Sequence, residues 1–595
     1  MGYGARARRS PATGGAVLTD VDIYKILLLC KTERGFSGTV MNEIYSMSDF
    51  YKKCGGFNSS YYGSYVAQSF YDELENDISC EMKVLSYVDT SAVQATLELL
   101  DSATVPTKIF DVKAAYKNED DESAFGNKIG LKVSNTNLIT MKLTASLVDG
   151  ATEAYLDSVD NLKVGYYVKF VDGVKEEVRA ITEINQSTKK ITFAAISEAT
   201  GFDYATATVY RLDWKIEVYV KDELGNFQKE ETWDGPFAKS DTIGLADDVN
   251  DIVSGSSFIK LAVNSANTDD PEDQIPVALT VETPLTGGSD GDAPTDSSWD
   301  TLADTYLADE EFTFLIAPES SSITHAQNMV NFCTDGYKGM AYVHASNGAT
   351  EDTLKNFGAS CRGSIKFGMV PSDKWITVND PVILGGYKEI PKTGIDAAHW
   401  FNTYSRYGES KVAAGNKSEM VLKANGKLLD SNGLVHDDPS GAGGRLIRNY
   451  SVNICRYRRG IGITNNSART LSTDNGYKYQ NQIMQWVLYA RSIVSYLKQI
   501  EQDRAGSLAQ ESHYNSVYAY MKGKYNAGHL FIGQKEDGSS TTFKDVCIIV
   551  NDFTINTLAN INNGIEEIFV QAVFPVPIEE PILSLASAGV TSISA

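Results

Sequence analysis

Residues 21–30 turn β-like and apolar, with an unbroken apolar run at Ile26 to Cys30 closed by Lys31-Thr-Glu-Arg-Gly35, and predict one buried strand ending in a turn. Residues 1–20 are rich in Gly, Ala and Arg, with Pro11 and the pair Gly14-Gly15, and hold almost no large apolar side chains; they read as an arm. Over residues 63–75, Tyr65 or Val66, Ser69 or Phe70 and Leu74 recur at helical spacing, and a strand is expected at 80–87. From about 137 to 215 the texture changes to short strands, at 164–173, 178–184 and 190–194, with turn residues between them. That predicts an inserted small barrel or sandwich. Further β-rich stretches at 215–221 and 257–263 lead into residues 283–298, whose Gly, Asp, Thr and Pro content reads as a linker.

Beyond the linker the pattern alternates: an apolar strand at 313–317, a helix at 321–333 with Met329 and Phe332 inward, and a strand at 339–344, as in a doubly wound sheet. At 481–504 the apolar residues Ile483, Val487, Ala490, Val494 and Leu497 follow one another at spacings of four, three, four and three, the clearest helix in the chain. A second helix at 512–524 and strands at 545–553 and 565–573 complete the pattern, with no internal repeat. The expected fold is α+β and multidomain, with an α/β part, an α+β C-terminal part, β-rich insertions and flexible terminal arms. Its expected division is 1–20, 21–136, 137–215, 216–298, 299–445, 446–576 and 577–595.

Length supports that division, since 595 residues exceed what one core holds and imply roughly three to five domains. Hydrophobic residues at 42% and charged residues at 22% place the chain among folded proteins. The 53 basic and 77 acidic residues give a net charge of −24, which argues against nucleic acid or anionic membrane as a direct partner. Seven cysteines lie singly with no CxxC pair, a pattern of reduced thiols in a cytosolic assembly. The apolar stretch after the basic start is too short for a signal peptide, and no run reaches the ~18 residues of a membrane span. Synthesis as a soluble cytoplasmic protein is expected.

Candidate chemistry is sparse. Gly287-Gly-Ser289-Asp-Gly291 satisfies G-x-S-x-G, which makes a serine hydrolase using Ser289 the alternative reading; that motif needs a strand before the serine and a helix directly after it. Here Thr283-Pro-Leu-Thr precedes and Asp292-Ala-Pro-Thr follows, a loop on both sides. Asp290, Asp292 and Asp296 do not match the calcium loop of an EF-hand and read as a solvated linker. The histidines, His325, His344, His399, His436, His513 and His529, form no HxxxH or HExxH, and there is neither GxxxxGK[ST] nor GxGxxG. No metal, cofactor or catalytic residue is expected. The basic cluster Arg445, Arg448, Arg456, Arg458 and Arg459 is either a docking surface or a set of internal ion pairs.

Several stretches, in order, resemble the contractile phage tail sheath family. Lys31-Thr-Glu-Arg-Gly35, Glu43-Ile-Tyr-Ser-Met-Ser-Asp-Phe50 and Cys54-Gly-Gly56 are similar to its opening pattern. Phe125-Gly-Asn-Lys-Ile-Gly-Leu-Lys-Val133 resembles its W-G-N-x-L-x-V strand, with Phe in place of Trp. Gly287, Gly288, Asp290 and Gly291 match the Gly-Gly-x-Asp-Gly that opens the family's α/β domain. Ala468, Arg469, Thr470 and Leu471, followed by Tyr477-Lys-Tyr479 and the long helix, resemble A-R-T-L-S with its aromatic pair; Asn466-Ser467 stand where Trp-Gly is common. The resemblance implies an α/β domain of subtilisin-like topology without the protease triad. It implies a non-enzymatic subunit of stacked hexameric rings around a tail tube, with baseplate and tail terminator proteins as further partners, in a virion tail assembled in the host cytoplasm. It also implies terminal arms that add strands to neighbouring subunits. In the C-terminal arm Ile582, Leu583 and Leu585 are the pairing candidates, and Lys522 and Lys524 are the expected tube contacts. The N-terminal arm is short and carries Arg6, Arg8 and Arg9.

Overall fold

The computed structural model describes residues 18–577 except 37, 223, 239–252, 265, 267–273, 337, 384, 416–426, 429–441, 459–461, 500–506, 536, 553, 558–559 and 561–565. The strand Lys25–Cys30 lies inside a six-stranded sheet, between Phe314–Ile316 and Glu81–Ser86 and parallel to both. Beyond Phe314–Ile316 come Met340–Tyr342 and Gly368–Met369, also parallel; Val40–Ile44 closes the other edge antiparallel to Glu81–Ser86. A parallel strand covered on both faces cannot alternate polar and apolar residues, which is why Ile26-Leu-Leu-Leu-Cys30 is apolar throughout and wholly buried.

Helices Gly63–Glu73 and Thr393–Tyr407 pack on each other and on this sheet. They approach closely because Gly394 has no side chain: a Cβ there would stand 2.7 Å from the carbonyl oxygen of Val66. Asp296–Tyr306, Ile323–Gly336 and Glu351–Cys361 pack in succession as a second helical group. One core thus draws on residues from Ile23 to Leu85, on Tyr116, and again on residues from Trp299 to Phe574. It joins stretches that the sequence pattern separates into different units, because parallel strands need a crossover connection and so leave room for the residues between them.

The intervening residues build two further cores. Trp214, stacked on Phe110 at 5.1 Å between ring centroids and edge-on to Phe237, centres one; Phe170, Phe193 and Phe202 centre the other. Two 14-residue antiparallel strands, Ile129–Lys142 and Thr208–Lys221, run through both. Leu131, Val133, Trp214 and Ile216 face the first of these cores, Met141 and Val209 the second. A register shift between Arg211 and Leu212 marks the crossing, as a bulge bends and twists a strand. The β unit expected at 137–215 is therefore an outgrowth of two continuous strands.

Residues 283–298 are not a free linker. Leu279–Pro284 is a strand, Thr286 and Ser289 pair with Thr96 and Val93, and the helix Asp296–Tyr306 starts at a Thr295/Ser298 capping box. Toward the C-terminus, helices Gln480–Gln499 and Ser507–Asn526 precede a two-stranded antiparallel sheet of Cys547–Val550 and Phe569–Ala572. The expected strand at 545–553 is shorter because Thr542 and Asp545 cap one helical turn, Phe543–Val546. Among the described residues no helix is long and apolar enough to cross a membrane.

Candidate assembly site

Three separate stretches with sheath-like motifs meet where the α/β core joins the second core. In Lys31-Thr-Glu-Arg-Gly35 the turn carries a wholly buried arginine: Arg34 donates from Nε to Asp121 Oδ2 at 2.7 Å and from its other nitrogens to the carbonyls of Lys52, Ser257 and Ala115, each at 2.8 Å. Its guanidinium also lies 5.1 Å from the Phe36 ring centre and 5.0 Å from that of Phe125. Asp121 is satisfied in turn by the Gly35 amide and the Ser123 hydroxyl. Two residues past Phe125, Asn127 reads the backbone of Gly288 in both directions, accepting from its N–H at 2.9 Å and donating to its carbonyl at 2.8 Å. Lys128 pairs with Glu33.

The Gly-Gly-Ser-Asp-Gly segment is shaped by that contact. A Cβ on Gly288 would lie 2.5 Å from the Ser123 carbonyl oxygen, so only glycine allows the approach. Gly287 and Gly291 hold positive φ of 84° and 65°, natural for glycine. Asp290 accepts from the Ala124 amide at 2.8 Å, and its carbonyl accepts from Lys31 Nζ at 3.3 Å. Ser289 exchanges both backbone hydrogen bonds with Val93, and its Oγ accepts the Gly291 amide of its own turn at 3.3 Å. The next helix starts seven residues on, at Asp296, which is not the strand-serine-helix arrangement of a nucleophile elbow.

Ala468 to Leu471 form a buried segment beside the far edge of the main sheet. The Leu471 amide donates to the Gly368 carbonyl, and the Thr470 amide to that of Lys478. Asn453, wholly buried, accepts the Arg469 amide at 2.9 Å and donates to the carbonyls of Arg469 and Val370 at 2.7 and 2.9 Å. This asparagine carries no signal in the local sequence pattern, since its function depends on two segments distant in sequence. In the basic cluster, Arg445 pairs with Glu351 at 3.6 Å and the Arg448 carbonyl accepts from Arg469; Arg456 and Arg458 lie in the strand Cys455–Arg458.

The long helix Gln480–Gln499, Met521 and the strand Phe569–Ala572 enclose an apolar groove of about 700 Å³, lined by Trp486, Ile493, Val494, Leu497 and Phe569 among others. Val494 and Phe569 are half-exposed. Phe569–Ala572 pairs with Cys547–Val550 on one side only among the described residues, so a strand edge borders the groove. Just beyond, Asn481 Nδ2 donates to the Pro575 carbonyl at 2.9 Å and fixes where the chain leaves. Ile582, Leu583, Leu585 and Arg6, Arg8 and Arg9 lie outside the described residues. Lys522 Nζ sits over the rings of Tyr525 and Phe543, at 4.7 and 5.1 Å from their centres. Lys524 is engaged within the chain, between Asp20 and Glu409.

No protein-family model and no curated protein matches this chain. It is similar to solved structures of contractile injection particles. One is the PVC sheath complex of an extracellular contractile injection system in its contracted state, with TM-score 0.40 and 18% identity over 49% of this chain and 75% of that one. Another is the helical sheath of the anti-feeding prophage in its contracted state, with TM-score 0.38 and 17% identity over 52% and 78%. A chain of the 6-fold symmetrised anti-feeding prophage baseplate gives 0.37 and 16% over 52% and 76%.

Proposed function

We propose that this chain is a structural, non-enzymatic subunit of a contractile tail sheath that polymerises as stacked hexameric rings around an inner tube. The observation that carries the reading is the groove beside Phe569–Ala572: a strand edge with no partner among the described residues, over half-exposed apolar side chains, where the chain turns toward its C-terminal segment. An edge of this kind recruits a further strand, whose main-chain hydrogen bonds hold while alternate side chains fill the groove. The C-terminal segment of a neighbouring copy, through Ile582, Leu583 and Leu585, is the proposed strand. The order of sheath-like motifs supports the same reading, since three of them build one junction and the fourth is hydrogen-bonded to the edge of the main sheet. Links of this kind let subunits stay joined while they rotate past one another, which contraction demands.

The expected division into arms, inserted β units, a subtilisin-like α/β domain and a C-terminal domain belongs to this proposal, as do the tube, baseplate and tail terminator proteins as partners. So does a place in a virion tail. Negative-stain electron microscopy of the purified protein tests it: tubes of uniform diameter are expected, and deletion of residues 577–595 should leave soluble subunits without long tubes. A chain that stays monomeric under all assembly conditions, or a deletion that polymerises normally, refutes the respective part.

A further inference from the structure

Asp20, next to the N-terminal segment, and Glu409, which follows the helix Thr393–Tyr407, are brought together by one ammonium. Lys524 Nζ donates to Asp20 Oδ2 at 2.7 Å and to Glu409 Oε1 at 3.0 Å. Two phenols complete the cluster: Tyr520 donates to Asp20 Oδ1 at 2.6 Å and Tyr489 to Glu409 Oε1 at 3.0 Å. Both rings also flank Lys524, at 5.4 and 5.2 Å from its nitrogen. Burial and the Glu409 carboxylate hold the Tyr489 phenol well above its usual range, so it remains a donor. One residue on, the Val21 amide donates to Ser492 Oγ at 3.2 Å.

The two carboxylates are not equivalent. Glu409 is 7% exposed and faces His529 Nε2 at 3.7 Å as well, whereas Asp20 is 44% exposed. Without the ammonium between them they become neighbouring like charges, and the exposed one regains hydration by moving away.

We infer that Lys524 is a latch: it holds the root of the N-terminal segment, residues 18–22, on the C-terminal helical pair, and opening it detaches that root while the cores stay folded. The inference goes beyond the assembly reading and holds for a single subunit. The other helix of the pair, Gln480–Gln499, holds the chain at Pro575 through Asn481. Tyr489 links the latch cluster to this stretch, its hydroxyl donating to Glu409 and its ring lying 5.9 Å from that of Phe574. The positions of residues 18–22 and of Pro575 are therefore both set by the helical pair Gln480–Gln499 and Ser507–Asn526.

Amide hydrogen exchange on the full chain tests this. In Asp20→Asn and Lys524→Met the Val21 amide should exchange about ten-fold faster or more, on the scale of one lost charge-assisted hydrogen bond. The Tyr87 amide, which donates to Cys30 in the main sheet, should be unchanged. Lys524→Arg should restore most of the protection, and the double variant should add little to either single one. Unchanged Val21 exchange in Asp20→Asn, or equal acceleration at Val21 and Tyr87, overturns the latch. If Lys524→Met unfolds, Asp20→Asn alone decides.

Discussion

Arg34 and Asp121, 87 residues apart in sequence, form a wholly buried ion pair at 2.7 Å that joins the α/β core to the neighbouring β core. Every polar atom of the pair described above has a partner, which offsets the large cost of desolvating two charges. Arg34→Ala leaves Asp121 charged and buried, and should cost about 3–5 kcal/mol. Denaturant unfolding measures this; a loss below about 1 kcal/mol would contradict the clamp.

Gly288→Ala places a methyl group against the Ser123 carbonyl and should cost about 1–3 kcal/mol. Ser289→Ala removes only an acceptor for one amide within its own turn and should change stability by less than about 0.5 kcal/mol. Ser289→Ala should also leave assembly intact. Thermal melts of the two variants side by side check the contrast, and an esterase activity lost in Ser289→Ala would support the hydrolase alternative.

Glu319 follows the strand Phe314–Ile316 and accepts the amides of Tyr62 and Gly63, at 2.8 and 3.0 Å, at the start of the helix Gly63–Glu73. Although the residue is only partly buried, desolvation of its enclosed carboxylate pushes the pKa up to about 7, against the opposing pull of the amides and Lys388. The folded state therefore binds more protons than the unfolded chain between about pH 4.5 and 7, and this group's contribution to stability falls as pH rises through that window. Glu319→Gln should gain on the native protein by about 1–3 kcal/mol between pH 5 and 8. Urea midpoints that stay parallel across that range would rule the effect out.

Val494→Asp puts a charge into the groove at a half-exposed position. Subunits should stay folded, with stability changed by less than about 1 kcal/mol, while tube formation is lost. Circular dichroism with electron microscopy separates the two; normal tubes would exclude the groove as an assembly contact.

The sequence has no phosphate-binding loop of the GxxxxGK[ST] type, so the proposed sheath contracts from a metastable extended state. Extended particles should shorten on mild acid or denaturant without ATP, at a threshold that shifts with ionic strength. Contraction only upon ATP addition would refute stored energy; a salt-independent threshold would remove its electrostatic part.

Local periodicity was enough to locate the helices Gly63–Glu73 and Gln480–Gln499, and an apolar run the strand Lys25–Cys30, although of the stripe in Gln480–Gln499 only Ile483 and Val487 are buried while Val494 lines the groove. The helix Asp296–Tyr306 was hidden among turn-forming residues, since its capping box uses Ser298 where Glu or Gln is the usual signal. Arg34 and Lys31 read as turn chemistry, yet Arg34 is buried because carbonyls of Lys52, Ala115 and Ser257 converge on it from three other segments. The groove, the Asn127–Gly288 contact and the Lys524 latch likewise exist only after distant segments meet. Sequence determined which stretches form elements and which carry family-like motifs. Tertiary structure decided which polar groups are paired and which apolar side chains line the groove, because both depend on neighbours that no local window contains.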